Sequence, residues 1–269
     1  MFKNFLNVSL LTMEFTKELT IPEKQKMILE VMKDIDRFCR ENGIRYSLSS
    51  GTLLGSVRHK GFIPWDDDGD LEMLREDFDR FVKTYKSDKY ILLYNSREDN
   101  AFFASGYAKV CDPTTVSPDK IVKYNPGIFV DIFPIDPLPE DENERKIFVH
   151  KLKSLANRLY HRQRKDIISI LKSYRHSLDW WWNKLDKTVR DPKYADSPIV
   201  GHIIGSVSCR AIYNRNFFDN LEEKDFEDCK FYAFKDSDEY LTRVFGADYM
   251  TPRKWNHNTK VYLLNEQNK

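Results

Sequence analysis

Residues 66–74, Asp66-Asp67-Asp68-Gly69-Asp70-Leu71-Glu72-Met73-Leu74, put four aspartates into five positions and then alternate polar with apolar. In a strand, side chains two apart share a face. Asp68, Asp70 and Glu72 therefore fall on one side, and Gly69, Leu71 and Met73 face the core. Carboxylates held so close repel one another unless a cation lies among them. A hard divalent ion answers that need, Mg2+ with Mn2+ as the substitute, and Asp66 completes the set from the preceding turn. The competing explanation is a solvated acidic turn, which an Asp-x-Asp pair alone does not exclude. An EF-hand loop is excluded, because its D-x-[DN]-x-[DN]-G spacing is absent.

The residues upstream weigh against the idle turn. "IRYSLSS" alternates as a strand does and runs into "GTLLGSVR", a short helix opening at Ser50-Gly51-Thr52. Free N–H groups at a helix start attract phosphate. Arg58 and Lys60 follow with charge to offset phosphate, His59 between them reads as a surface residue, and Pro64 stops the helix. Trp65 is equally suited to core packing and to walling a ligand. A strand, a glycine turn, a helix and an Asp-x-Asp strand are the parts a phosphoryl- or nucleotidyl-transferring fold needs. A third carboxylate is expected on a neighbouring strand. Asp131 in "FVDIFPID" fits, as a metal ligand or as the general base for an attacking hydroxyl. Asp136 beside Pro137 reads as a turn former.

Periodicity places these pieces in one α+β unit. A helix is expected over 22–42, with a capping box at Thr20 and Glu23, Gly43 as its stop, and Ile28, Val31, Met32, Ile35, Phe38 and Cys39 as its buried stripe. A second helix carries Phe78, Phe81, Val82 and Tyr85. "KYILLYN", "GYAKVCD" and "GIFVDIFPID" read as strands. From about 140 to 172 the pattern is helical, with Ile147, Phe148, Leu152, Leu155 and Leu159 as its stripe, and residues 174–220 also read as helical. The expected fold is a mixed β-sheet core flanked by helices over about 20–138, then a helical C-terminal half over about 139–260, in a single domain spanning 20–260 with 1–19 as an extension.

Composition limits the partners. The formal net charge is +1, so no global field favours nucleic acid; "YHRQRKD" (160–166) is a basic helix face and little more. The four cysteines, Cys39, Cys111, Cys209 and Cys229, are scattered without metal-finger spacing, which suits a reduced cytoplasmic protein. The opening "MFKNFLNVSLLTMEF" is too short to span a bilayer, and no transmembrane segment is expected elsewhere. A membrane-borne acceptor would be met peripherally, from the inner face. No oligomeric state is read from the sequence.

"GTLLGSVRHKGFIPWDDDGDLEM" closely resembles the signature block of the LicD family, the phosphocholine-transferase-like proteins that include fukutin-related ones. "FVDIFPID" is similar to the family's second block, and "YLTRVFGADYMTPRKWNHN" to its C-terminal block. The resemblance implies a nucleotidyltransferase-like fold and transfer of a phosphorylated alcohol, phosphocholine or a polyol phosphate, from a CDP-activated donor. The acceptor would be a hydroxyl of a cell-surface glycan, of lipopolysaccharide or a lipid-linked teichoic-acid precursor, and CMP would leave. It also implies Mg2+ at the acidic block. Asp66, Asp68 and Asp70 match the acidic positions, Asp131 the second-block aspartate, and Arg58 and Lys60 the basic residues. Gly69 stands where the family usually has an aliphatic residue, a departure expected to loosen the strand, and Glu72 adds an acid. Two other activities fit the same residues: nucleotidyl transfer from an NTP to a small hydroxylated acceptor, and non-catalytic sensing of choline or a nucleotide.

Overall fold

The computed structural model of the protein describes residues 15–94, 106–118, 126–163, 171, 176–204, 211–254 and 259–265. The chain begins with β1 (Phe15–Glu18), α1 (Ile21–Asn42), β2 (Ser47–Leu48), α2 (Ser50–His59), β3 (Asp70–Leu74) and α3 (Arg75–Thr84). It continues through β4 (Ile91–Leu93), β5 (Ala108–Cys111), β6 (Thr115–Val116), β7 (Phe129–Pro137), α4 (Glu142–Gln163) and α5 (Leu178–Val189). It closes with β8 (Ile199–Gly201), β9 (Ile212–Asn214), β10 (Leu221–Phe226), β11 (Cys229–Phe234), α6 (Ser237–Phe245) and β12 (Tyr262–Leu264).

The expected start of α1 is present. The Thr20 N–H donates to Glu23 Oε2 at 3.0 Å, and Gly43 ends the helix at φ 58°, a left-handed conformation glycine takes without Cβ strain. Its stripe of Ile28, Val31, Met32, Ile35, Phe38 and Cys39 is buried. The main sheet has seven strands built around β7. β3 pairs with β7 in parallel, β5 pairs with β7 antiparallel on its other side, β2 and β4 extend the two flanks, and β8 with β9 adds to the far end of β7. A small sheet joins β1, β12 and β6, so residues 15–18 of the expected N-terminal extension are tied to the C-terminal strand. β10 and β11 form a hairpin over β2 and α2.

The mixed α/β character matches the expectation, and the C-terminal half holds more strand than its pattern suggests. Within 174–220 the described residues contain α5 and then β8 and β9, short β-branched and aromatic segments that pairing with β7 draws into the sheet. In α4, Phe148, Leu152, Leu155 and Leu159 pack inward, while Ile147 is 72% exposed because its position falls beyond the edge of that face. Asp136 is not in a turn. It lies inside β7, fully buried, and accepts from Arg75 Nε at 2.6 Å and Nη2 at 2.9 Å, an ion pair that pins the start of α3 to the sheet. The stretch 164–166 of "YHRQRKD", residues 255–258 of the C-terminal block and Cys209 lie outside the described residues; Cys39 and Cys111 are buried thiols. Among the described residues no helix is long and apolar enough to cross a membrane.

Gly69 tightens its strand instead of loosening it. A Cβ there would lie 2.8 Å from Cγ2 of Ile28, 3.4 Å from Cγ2 of Val130 and 3.5 Å from the sulfur of Met32. Ile28 is buried and has nowhere to go. The bare backbone lets α1 sit directly on β3, and the Gly69 carbonyl accepts the Asp131 N–H at 2.8 Å, fixing the β3–β7 register. Gly69→Ala should therefore lower the unfolding free energy by about 1–3 kcal/mol through overpacking. Urea denaturation measures this, and an unchanged midpoint would show that α1 can retreat at no cost.

Candidate active site

Parallel β3 and antiparallel β5 flank β7 so that three charged side chains share one row. Asp70 is registered against Asp131, and Asp131 against Lys109. Neighbouring strands lie about 4.8 Å apart, so acid, acid and ammonium stand side by side. Lys109 forms an ion pair with Asp131, with side chains only 10% and 13% exposed, and its Nζ lies 3.4 Å from the centre of the Phe129 ring.

The other acids arrive from the turn before β3. Asp66 is buried and its carboxyl hydrogen-bonds that of Asp68. Burial first, then the charge of Asp68, pushes Asp66 up to about 8. Burial and then the charges of Asp68, Asp131 and Asp66 raise Asp70 well above the ordinary carboxylate range, and burial raises Asp131 to about 6 against the pull of Lys109. Asp67, by contrast, points away. It pairs with buried Lys24 of α1 at 3.0 Å and accepts the Thr259 N–H at 2.9 Å, so it ties the acidic turn to α1 and the C-terminal segment.

The first turn of α2 abuts this cluster. A Cβ on Gly51 would meet Asp66 Oδ2 at 2.8 Å, so only glycine lets that carboxylate reach the helix start. There the N-terminal N–H groups favour negative charge. Ser50 takes φ 47°, uncommon for a residue with a side chain. The structure brings Ser50 and Gly51 to the acids. Thr52 comes too, and its buried hydroxyl accepts the Asp70 N–H at 2.8 Å, so it positions Asp70 while its O–H remains a donor. Arg58 and Lys60 are not brought there. At 1.5 Å per residue they lie about 12 Å or more along α2 from Ser50. Arg58 Nη1 donates to the Tyr249 carbonyl at 2.9 Å, lining a cleft of about 330 Å3 with Phe245 and Arg253, and Lys60 is exposed just past the helix end. Trp65 is half-buried against the core, edge-on to His59.

Glu72 faces the same side as Asp70 yet serves a different purpose. It is fully buried and meets three hydroxyls: Tyr213 at 2.8 Å, Ser49 at 2.9 Å and Tyr240 at 3.2 Å. Burial raises it to about 7, with those hydrogen bonds opposing. The Tyr240 hydroxyl also accepts the Ser50 N–H at 3.4 Å. Glu72 thus links β9 and α6 to the turn that opens α2. Tyr213 and Tyr240 escape a reading of the sequence because they lie more than a hundred residues from Glu72, and Ser49 because its contact depends on the pairing of β2 with β3. Lys109 was legible in principle, as a lysine in the middle of the apolar strand "YAKVC", where an ammonium needs a buried partner.

The donor set is all oxygen and suits a hard divalent cation. The shared hydrogen bond between Asp66 and Asp68 requires a proton that a cation would replace. Among the described residues no three His, Cys, Asp or Glu side chains are already arranged as a metal cage. An ion would have to draw Asp66, Asp68 and Asp70 together.

Farther along β7 the same face is aromatic. Phe133, two residues beyond Asp131, stacks on His202 with ring centres 4.1 Å apart, and burial holds His202 down to about 4. A histidine whose folded pKa is depressed supports the fold above its unfolded value of about 6.5 and loses that contribution as pH falls toward 4. The wild type should therefore lose more stability between pH 6.5 and 4 than His202→Gln does. Thermal unfolding across that range checks this; parallel slopes would contradict it.

Residues 43–174 match the family described as LicD/FKTN/FKRP, nucleotidyltransferase domain. The chain is 28% identical over 272 residues, covering 92% of itself and 100% of its counterpart, to a Haemophilus influenzae protein named lipopolysaccharide cholinephosphotransferase LicD. It is also 40% identical over 83 residues to an uncharacterized protein of Rickettsia typhi and 45% identical over 65 residues to one of Rickettsia prowazekii, in each case over about a quarter of that protein.

Proposed function

This chain carries the LicD-family nucleotidyltransferase domain, and from that premise we propose that it transfers phosphocholine from CDP-choline to a hydroxyl of a cell-surface glycan of the lipopolysaccharide type, with release of CMP. The observation that carries this reading is the likeness, over 92% of this chain, to a protein named lipopolysaccharide cholinephosphotransferase, joined to an acidic cluster facing a helix start.

Asp66, Asp68 and Asp70 would hold Mg2+. When bound, it would offset the diphosphate charge and make the phosphorus a better electrophile. Gly51 offers its backbone N–H to a phosphate oxygen, beside Ser50, whose own N–H is held by the Tyr240 hydroxyl. Thr52 and the Glu72 hub keep β3 and that turn in place. Asp131, near neutrality at about 6, accepts the proton of the acceptor hydroxyl. The hydroxyl oxygen attacks the choline-bearing phosphorus in line, and that phosphorus–oxygen bond forms as the bond to the CMP oxygen breaks. The electron pair departs on CMP. Positioning and charge neutralisation do most of the work, as expected for phosphoryl transfer. A polyol phosphate in place of phosphocholine would use the same steps.

The test is product analysis with CDP-choline, Mg2+ and a glycan acceptor. CMP should appear in step with phosphocholine on the glycan, and chelation should abolish both. Asp68→Asn should reduce turnover by about a thousandfold or more, the scale of removing a group that neutralises transition-state charge. Pyrophosphate from an NTP would instead assign nucleotidyl transfer, and ligand binding without any product would assign a sensor.

A further inference from the structure

We propose that Lys109 fills the place of a second metal ion, so that this site binds one divalent cation and not a pair. The inference rests on the metal reading above and goes beyond it by giving the count.

Phosphoryl-transferring sites often hold two divalent ions about 3.5–4 Å apart, bridged by shared carboxylates. The bridging role needs a carboxylate between the two ions. In this sheet Asp131 holds the middle of the row, with Asp70 on one side and Lys109 on the other. The flank toward Asp70 opens on Asp66 and Asp68. The flank toward β5 is taken by the ammonium of Lys109, paired with Asp131 Oδ1.

Two rings hold that ammonium where it is. Its Nζ lies 3.4 Å from the centre of Phe129 and 5.3 Å from that of Tyr107, and aromatic faces attract a cation at this range. The Asp131 carboxylate, paired with it, favours its charged form. A buried ion pair is costly to break, because the remaining partner is left buried and uncompensated. An incoming dication would have to displace Lys109 from both rings and from Asp131.

The test counts bound ions. Metal-free protein is titrated with Mn2+ in the presence of CDP, and free Mn2+ is followed by electron paramagnetic resonance. The wild type should bind one equivalent. Lys109→Met, checked for folding by circular dichroism and thermal melting, should bind two and should gain more melting temperature from Mn2+ than the wild type gains. Lys109→Arg should remain at one. Two equivalents in the wild type would overturn the inference while leaving the metal reading intact, whether or not the methionine variant folds. A folded Lys109→Met that still binds one would overturn it as well. No Mn2+ bound to the wild type would bring down the metal reading itself, and this inference with it.

Discussion

Asp66, Asp68, Asp70 and Asp131 repel one another across a turn and two strands, and Lys109 brings an ammonium to Asp131. Such a cluster is unfavourable for folding unless its charge is met by protons or cations. Much of the surrounding structure can be understood as holding it in place. Gly69 lets α1 press directly on β3, Gly51 lets Asp66 reach the helix start, and Thr52 fixes the Asp70 backbone. Each is a small residue where a larger or less polar one would push the acids apart.

The same constraint connects the site to parts of the chain far away in sequence. Asp67 is drawn off to Lys24 and Thr259, so the acidic turn is anchored on the side away from the cluster. Asp136 and Arg75 lock α3 under β7. Glu72 gathers Ser49, Tyr213 and Tyr240 and so fastens α6 and β9 to the turn at Ser50. The consequence for function is preorganisation: the groups that would meet a diphosphate sit at the start of α2, at the start of β3 and on a turn braced from behind.

Local features were legible from sequence. The capping box at Thr20, the stop at Gly43 and the alternation after Asp70 each depend on near neighbours, and they mark α1 and β3 closely. Features set by distant pairing were not. Lys109 becomes meaningful only through its register with Asp131, and Glu72 only through tyrosines from β9 and α6. Gly69 reads as a weak point in a strand until Ile28 is seen above it. Arg58 and Lys60 follow the glycine turn in sequence, but a straight helix carries them to its other end. The strands β8 and β9 are three residues each, too short for periodicity to announce.

A crystal grown with Mn2+ and CDP-choline would test the central claim most directly, through the anomalous signal of the ion. The account predicts a single peak bounded by the carboxylates of Asp66, Asp68 and Asp70 and touching the donor's diphosphate. A donor bound elsewhere, with no peak at the cluster and the three side chains turned out to solvent, would contradict it.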